Sequence, residues 1–278
     1  MAFAENAHVS MGERNVQQAK QDMINRAEMV AARWQLTLDA SPLKHTADRV
    51  VYKVNAADGL AVLKLNRKFG SEGGSIPFLR GLPDGIGVKL LRVSPLRRAM
   101  LLSWLEGPTL DMLVARGNEA RAERLLAQVA SSLSKAKFRR MALIQRLNWR
   151  VQKRFDGFAP RLKNTAQSAD FARAKSAFDV LVDTMPPEVV IHGDLHFGNI
   201  IDTAQGPRFI DPKGYRADPA AEFAAAFSAA QPDPAIAEFK QRITRRAAVY
   251  APAIEADPLR LIRWGAVLYS NKISIDLS

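Results

Sequence analysis

Cysteine is absent from the sequence. That excludes disulfides and thiolate metal sites, and it is compatible with a reducing compartment. Long apolar runs are missing as well, since none approaches the roughly 18 residues needed to span a bilayer. The first residues, Met1-Ala2-Phe3-Ala4-Glu5-Asn6, lack the basic-then-apolar layout of a signal peptide. No internal repeat is present, and the one biased tract is the alanine-rich stretch from Ala220 to Ala230. Charges are neither scarce nor gathered into long tails, so global disorder is not expected. These absences point to a soluble, cytoplasmic protein with no membrane partner, and they leave its oligomeric state open.

What is present suffices for one large domain or two lobes: 278 residues, of which 47% are apolar. The formal net charge of +12 favours anionic partners such as nucleotides, nucleic acid or acidic lipid heads. Much of the excess lies between Lys135 and Lys163, where ten Lys and Arg side chains face only Asp156. Phe138, Trp149, Phe155 and Phe158 are interleaved with them. Such a stripe has two readings, a nucleic-acid or phosphate-binding surface, or the solvated face of amphipathic helices whose aromatics point to the core. The second is preferred, and nucleic acid is not expected as a partner.

Along the chain, Val16, Met23, Ala27, Val30 and Trp34 recur at helical spacing, predicting a helix over most of 15–34. The period then changes. Val50 to Val54 and Leu60 to Leu65 read as strands around an Asp58-Gly59 turn. A short helix is predicted near Ile76 to Leu82, and a second hairpin from Val88 to Val93 and Ala99 to Leu102. After Glu106-Gly107-Pro108 the pattern is helical almost throughout, with Pro186-Pro187 ending one helix ahead of a short buried strand, Val189-Val190-Ile191. The outline is a helical extension (1–35), a small sheet-rich lobe (36–102), a connector (103–107) and a larger helical lobe (108–278).

The segment from Ile191 to Gly214 departs from ordinary composition. It places Asp194, Asn199 and Asp211 in a strand, a loop and a hairpin. Asn199-Ile200-Ile201 and Arg208-Phe209-Ile210 are apolar-rich runs separated by Gln205-Gly206-Pro207. A turn centred at residue 205 makes 199 and 211 equidistant from it, hence near-opposed neighbours on one face. A carboxamide and a carboxylate so placed can grip a hard cation, and oxygen ligands of this kind suit magnesium. Asp194 precedes Asn199 by five residues and Asp211 by seventeen.

His192-Gly193-Asp194-Leu195-His196 with Asn199, followed by Ile210-Asp211-Pro212-Lys213-Gly214, resembles the aminoglycoside phosphotransferases of the protein-kinase-like superfamily. The Asp-Pro-Lys-Gly ending is similar to the branch of streptomycin 6-phosphotransferases and hydroxyurea phosphotransferases. The resemblance runs from about Trp34 onward and is strongest at 191–223. It implies a two-lobed α+β kinase-like fold, with a small antiparallel-sheet N-lobe that binds nucleotide and a mainly helical C-lobe that holds the catalytic loop and the acceptor. It implies a transferase that moves the γ-phosphate of ATP, with Mg2+, to a hydroxyl of a small molecule. Asp194 then matches the catalytic base, and Asn199 and Asp211 the metal ligands. His192 matches a supporting loop histidine and Glu222, in Asp218-Pro219-Ala220-Ala221-Glu222, the acid that braces the loop. Lys64 matches the strand lysine at the nucleotide phosphates and Glu72 its partner. Leu101 to Glu106 looks like the hinge that meets adenine, with Ser103 and Leu105 as its contacts.

Three departures from the family pattern stand out. The phosphate-covering turn, around Ser41 to Asp48, has no glycine. Glu72 lies in a glycine-rich loop, and the bracing acid is Glu222 where the family usually has Asp. Lys213 either touches phosphate or substrate, or pairs with a nearby acid. The implied acceptor is a streptomycin-like aminoglycoside or hydroxyurea, with a sugar or amino alcohol as the alternative. A polycationic acceptor needs carboxylates, and Asp218, Glu222, Asp233, Glu238, Glu255 and Asp257 all fall in the C-terminal helices. Two further readings use the same residues. His192, Asp194 and His196 form a His-x-Asp-x-His pattern that could bind zinc for hydrolysis, and a kinase-like fold could serve as a non-catalytic binding module.

Overall fold

The computed structural model describes residues 11–68, 74–139, 141–162, 168–228 and 236–268. They fall into two compact units. One holds the described residues up to 68 together with 89–104, and the other holds 74–88 and the described residues from 105 onward. Glu72 lies outside the described residues.

In the first unit, helix α1 (Met11–Trp34) is followed by a six-stranded antiparallel sheet. Its strands are β1 (Thr37–Leu38), β2 (Lys44–His45), β3 (Arg49–Ala56), β4 (Gly59–Asn66), β5 (Leu90–Ser94) and β6 (Ala99–Ser103), in the order β1-β3-β4-β6-β5 with β2 also on β3. Alternation decides the core. Val50, Tyr52 and Val54 of β3 pair with Leu65, Leu63 and Ala61 of β4, and all are buried. Met23, Ala27, Val30, Ala31 and Trp34 of α1 recur at helical spacing and join the same core. The helix read from sequence as an extension is therefore part of this unit's core, at roughly 1.5–3 kcal/mol for each large side chain buried. Val16, counted in its apolar stripe, is 49% exposed instead. The β3–β4 turn falls on Ala57 and Asp58, with Ala56 opposite Gly59. Within the glycine-free stretch 41–48, β2 pairs with β3 and Thr46 Oγ1 accepts from the amides of Asp48 and Arg49.

The second unit opens with α2 (Ser75–Gly81) and continues with α3 (Leu110–Ala115), α4 (Glu119–Ser134), α5 (Leu147–Leu162) and α6 (Ser168–Asp183). Strand β7 (Val189–Ile191), hairpin β8 (Ile200–Thr203) and β9 (Gly206–Phe209), and β10 (Tyr215–Ala217) follow. Helices α7 (Ala224–Ser228), α8 (Ile236–Tyr250) and α9 (Pro258–Leu268) complete it. Ala122, Leu126, Val129, Ala130 and Leu133 form the buried face of α4. Arg246 of α8, 2% exposed, meets Glu123 of α4 at 3.3 Å and Glu119 at 3.0 Å, so the buried cation is paired. Phe178 of α6 meets Trp264 of α9 edge-on at 6.2 Å. Asp218, fully buried, accepts from the Ala220 amide, Arg260 Nε and Trp264 Nε1, tying the segment after β10 to α9. An antiparallel-sheet unit and a mainly helical unit make up the α+β division that the resemblance implies.

Candidate functional site

Strands β7 and β10 form a two-stranded antiparallel ribbon, with Ile191 opposite Tyr215 and Val189 opposite Ala217. The chain leaves β7 directly into His192-Gly193-Asp194, and it enters β10 directly from Asp211-Pro212-Lys213-Gly214. One ribbon therefore brings both halves of the sequence motif to the same end. Glu222 fixes the first half. Its carboxylate accepts the His192 amide at 2.7 Å and the Gly193 amide at 3.1 Å. Burial pushes this carboxyl up to about 7, against the pull of the two amide hydrogen bonds.

His192 is fully buried, packed edge-on against Phe209 at 5.1 Å and Phe78 at 6.5 Å. Burial pushes its imidazole down to about 4, so it is neutral at physiological pH. Both ring nitrogens are engaged with backbone. Nε2 lies 2.8 Å from the Ile210 carbonyl, and Nδ1 accepts the Asp194 amide at 3.2 Å, which fixes the Nε2–H tautomer. His196 Nδ1 accepts the Gly198 amide at 3.1 Å and caps the short helical turn Phe197–Asn199. A zinc ion on the His-x-Asp-x-His pattern would have to break the His192 bonds. Among the described residues no group of three His, Cys, Asp or Glu side chains is placed to hold a metal. The zinc reading is therefore set aside.

The hairpin register differs from the symmetric reading. Ile200 pairs with Phe209 and Thr203 with Gly206, so the turn is Ala204-Gln205 and its centre lies between them. Asn199 then lies opposite Ile210, whose amide donates to the Asn199 carbonyl at 2.9 Å. Asp211 lies one residue beyond, and a one-residue slip would send it to the other face. Asp211 adopts φ +59°, a left-handed conformation that Asp tolerates better than most residues and that ends the strand pattern there. Asp194 and Asp211 both act electrostatically on the rings of His192 and His196, so the two carboxylates share one locality. Asn199, 8% exposed, donates its Nδ2 to the Asp194 carbonyl at 2.9 Å. That bond orients the carboxamide and makes Oδ1 the atom that could ligate a cation.

Sequence reasoning missed the supports of the second half. The Lys213 and Gly214 amides both donate to the His192 carbonyl, at 2.9 and 3.0 Å. Ser75 Oγ donates to the Pro212 carbonyl at 2.6 Å. Gly214 has φ +72°, and a Cβ there would lie 2.6 Å from Phe78 Cβ and 2.7 Å from the Gly74 carbonyl oxygen. The Tyr215 ring packs so closely on Gly193 that a Cβ would meet it at 2.4 Å. The glycines were visible in the sequence, but nothing there announced Ser75 or Tyr215. Lys213 Nζ stands 3.0 Å from Asp194 Oδ2.

In the first unit, Lys64 lies on β4 between Val51 of β3 and Met100 of β6, and is 4% exposed. Ser103 ends β6. Its amide donates to the Lys89 carbonyl at 2.9 Å and its hydroxyl accepts the Lys89 amide at 3.0 Å. The Ser103 amide is thus committed within the sheet. Trp104 follows, with Lys53 Nζ over its ring at 4.7 Å, and half-buried Leu105 begins the second unit.

The basic segment divides. Phe155 is core, 5.3 Å from Phe171 and 5.4 Å from Phe178, and Phe138 packs on Phe78. Trp149 and Phe158 are exposed instead, each beneath a cation one helical turn away, Lys153 and Arg154. A cavity of about 650 Å³ lies beside Trp149, bounded by Ile144, Gln152, Phe178, Val182 and Arg216. Arg216 leaves the ribbon on the face opposite to Tyr215. The acids expected to form an acidic pocket divide. Asp218 and Glu222 are buried in the bonds above, Asp257 Oδ1 accepts the Leu259 amide at the start of α9, and Glu255 is exposed. Asp233 and the Glu238 side chain lie outside the described structure.

The sequence pattern of the aminoglycoside/hydroxyurea antibiotic resistance kinases matches residues 33–273. No curated protein matches the chain. Among solved structures, a choline/ethanolamine kinase family protein from Mesorhizobium loti is similar at TM-score 0.62 and 17% identity, over 90% of this chain and 82% of that one. Choline kinase LicA from Streptococcus pneumoniae is similar at TM-score 0.61 and 15% identity, over 93% of each chain. A thermostable mutant of aminoglycoside phosphotransferase APH(4)-Ia, in ternary complex with AMP-PNP and hygromycin B, is similar at TM-score 0.61 and 14% identity, over 87% and 88%.

Proposed function

The chain belongs to the aminoglycoside/hydroxyurea antibiotic resistance kinase family, and from that premise we propose that it transfers the γ-phosphate of ATP to a hydroxyl of a small molecule with Asp194 as the base. The observation that carries this reading is the bond from Asn199 Nδ2 to the Asp194 carbonyl. It holds base and metal ligand in one rigid loop, itself clamped by Glu222 from behind. Catalysis of this class is mainly positioning and electrostatics, so rigidity of this kind is functional.

Asn199 Oδ1 and the Asp211 carboxylate are hard oxygen donors and fit a magnesium ion. When bound there, Mg2+ would neutralise charge on the phosphate oxygens. Asp194 orients the acceptor hydroxyl and takes its proton. His192 is neutral and bonded on both nitrogens, so it holds the loop's shape and moves no proton. Lys64 and the hinge at Trp104 to Glu106, with Leu105, would meet the nucleotide, and Ser103 would contribute no amide donor to it. Residues 36–102 and 108–278 would be the nucleotide lobe and the acceptor lobe, with α2 working in the latter.

For the acceptor we propose a streptomycin-like aminoglycoside or hydroxyurea. An amino alcohol is the second reading, since choline kinases share the fold as closely as APH(4)-Ia does. The same proposal places the protein in the cytoplasm, where ATP is supplied, and no described helix is long and apolar enough to cross a membrane. An ADP-release screen over hydroxyurea, aminoglycosides, sugars and amino alcohols tests the reading. One class should be turned over, and Asp194→Ala should abolish that turnover. An Asp194→Ala variant with full activity would refute the assignment.

A further inference from the structure

Lys213 is left without a role by the residues considered so far, and its placement is specific. Its backbone is pinned on both sides, by its own and Gly214's amides on the His192 carbonyl and by the Ser75 hydroxyl on the Pro212 carbonyl. From that fixed root the side chain reaches back to Asp194, with Nζ 3.0 Å from Oδ2. The two side chains are 32% and 24% exposed. Both groups are partly buried, so the pair fixes where the carboxylate points, and the pinned backbone fixes where the ammonium stands.

We propose that Lys213 is a catalytic residue: it takes one oxygen of the base and presents its remaining N–H groups to the phosphoryl group in transfer. The inference rests on Asp194 being the base. With Oδ2 bound to Lys213, Oδ1 is the atom left to accept the acceptor's proton. The acceptor oxygen must lie within about 2.6–3.2 Å of Oδ1, and the phosphorus about 3–3.5 Å beyond it. An ammonium at Oδ2 would then be directed at the phosphoryl oxygens, where charge spreads in the transition state. In the step itself, the acceptor O–H proton passes to Asp194 Oδ1, and the acceptor oxygen's electron pair forms the new O–P bond. The bond from the γ-phosphorus to the β–γ bridging oxygen breaks, and that oxygen leaves on ADP with the pair. Lys213 stays protonated throughout.

The test uses Lys213→Ala and Lys213→Arg in the full chain, with hydroxyurea or streptomycin as acceptor. Lys213→Ala should lower kcat by roughly 10²–10³-fold while KM for ATP moves by less than about threefold. Lys213→Arg should recover at least about tenfold of that loss. Calorimetric titration adds a readout that needs no acceptor. With magnesium present, Lys213→Ala should bind AMP-PNP like the parent protein and should bind ADP with aluminium fluoride, a mimic of the transferring phosphoryl, at least about tenfold more weakly. A kcat within about threefold of the parent, or equal losses for both probes, would overturn the proposal. If Asp194→Ala is inactive while Lys213→Ala is fully active, the lysine alone is refuted. If Asp194→Ala is itself active, the base assignment falls first.

Discussion

Glu222→Gln is the most informative single perturbation, because Glu222 and His192 are buried, joined through one amide and opposed in their response to pH. Glu222 is raised from 4.5 to about 7. Unfolding between those values releases a proton, so its stabilising contribution is full below pH 4.5 and is lost as pH rises through 7. His192 is lowered from 6.5 to about 4. Unfolding there takes up a proton, so its contribution is full above pH 6.5 and is lost as pH falls through 4. At about 1.4 kcal/mol per pH unit, each amounts to about 3 kcal/mol, with opposite sign. The parent protein is therefore nearly flat with respect to this pair. The substituted carboxamide would keep one carbonyl acceptor but turn an NH2 toward the second backbone amide, and it would no longer titrate. The variant's deficit against the parent should then grow by about 3 kcal/mol from pH 8 to pH 4, as the histidine's dependence is unmasked. Urea unfolding followed by circular dichroism at unit pH steps measures this. A deficit constant within about 0.5 kcal/mol across the range would refute the reasoning.

Two further outcomes follow from the site. Asn199→Ala and Asp211→Asn should each raise the magnesium concentration needed for half-maximal turnover by roughly tenfold or more, read from a metal titration at fixed ATP. Gly214→Ala combines a left-handed backbone with contacts below 3 Å, and should destabilise by about 2–4 kcal/mol in urea. Gly157→Ala, on α5 with open space around it, should instead stabilise by up to about 1 kcal/mol.

Much of the architecture was legible because it rests on periodicity. The β3–β4 hairpin and the buried face of α4 follow from alternation and from helical spacing. The motif was legible because Asp194, Asn199 and Asp211 carry uncommon chemistry at fixed separations. What escaped was geometry finer than a period. The two-residue strands β1 and β2 are too short to alternate, and the alternation of Tyr215-Arg216-Ala217 runs for only three residues. The hairpin centre lies half a residue from the expected position, so Asn199 faces Ile210 and not Asp211. Pairing across long separations left no trace either. Nothing in Ser75 points to Pro212, and nothing in Asp218 points to Trp264.

Helix α2 has a consequence for how the chain is made. Its Ser75 waits for Pro212, 137 residues later in the sequence. At roughly 5–20 residues per second, a ribosome needs about 7–27 s to deliver that partner. The strands that follow α2 belong to the other unit, so that unit can close its sheet once Ser103 has emerged. Through the interval Phe78, buried in the finished protein, can meet Phe138 but not yet His192 or Phe209. The helix that later supports the segment after Asp211 thus carries apolar surface that the nascent chain must keep from wrong partners.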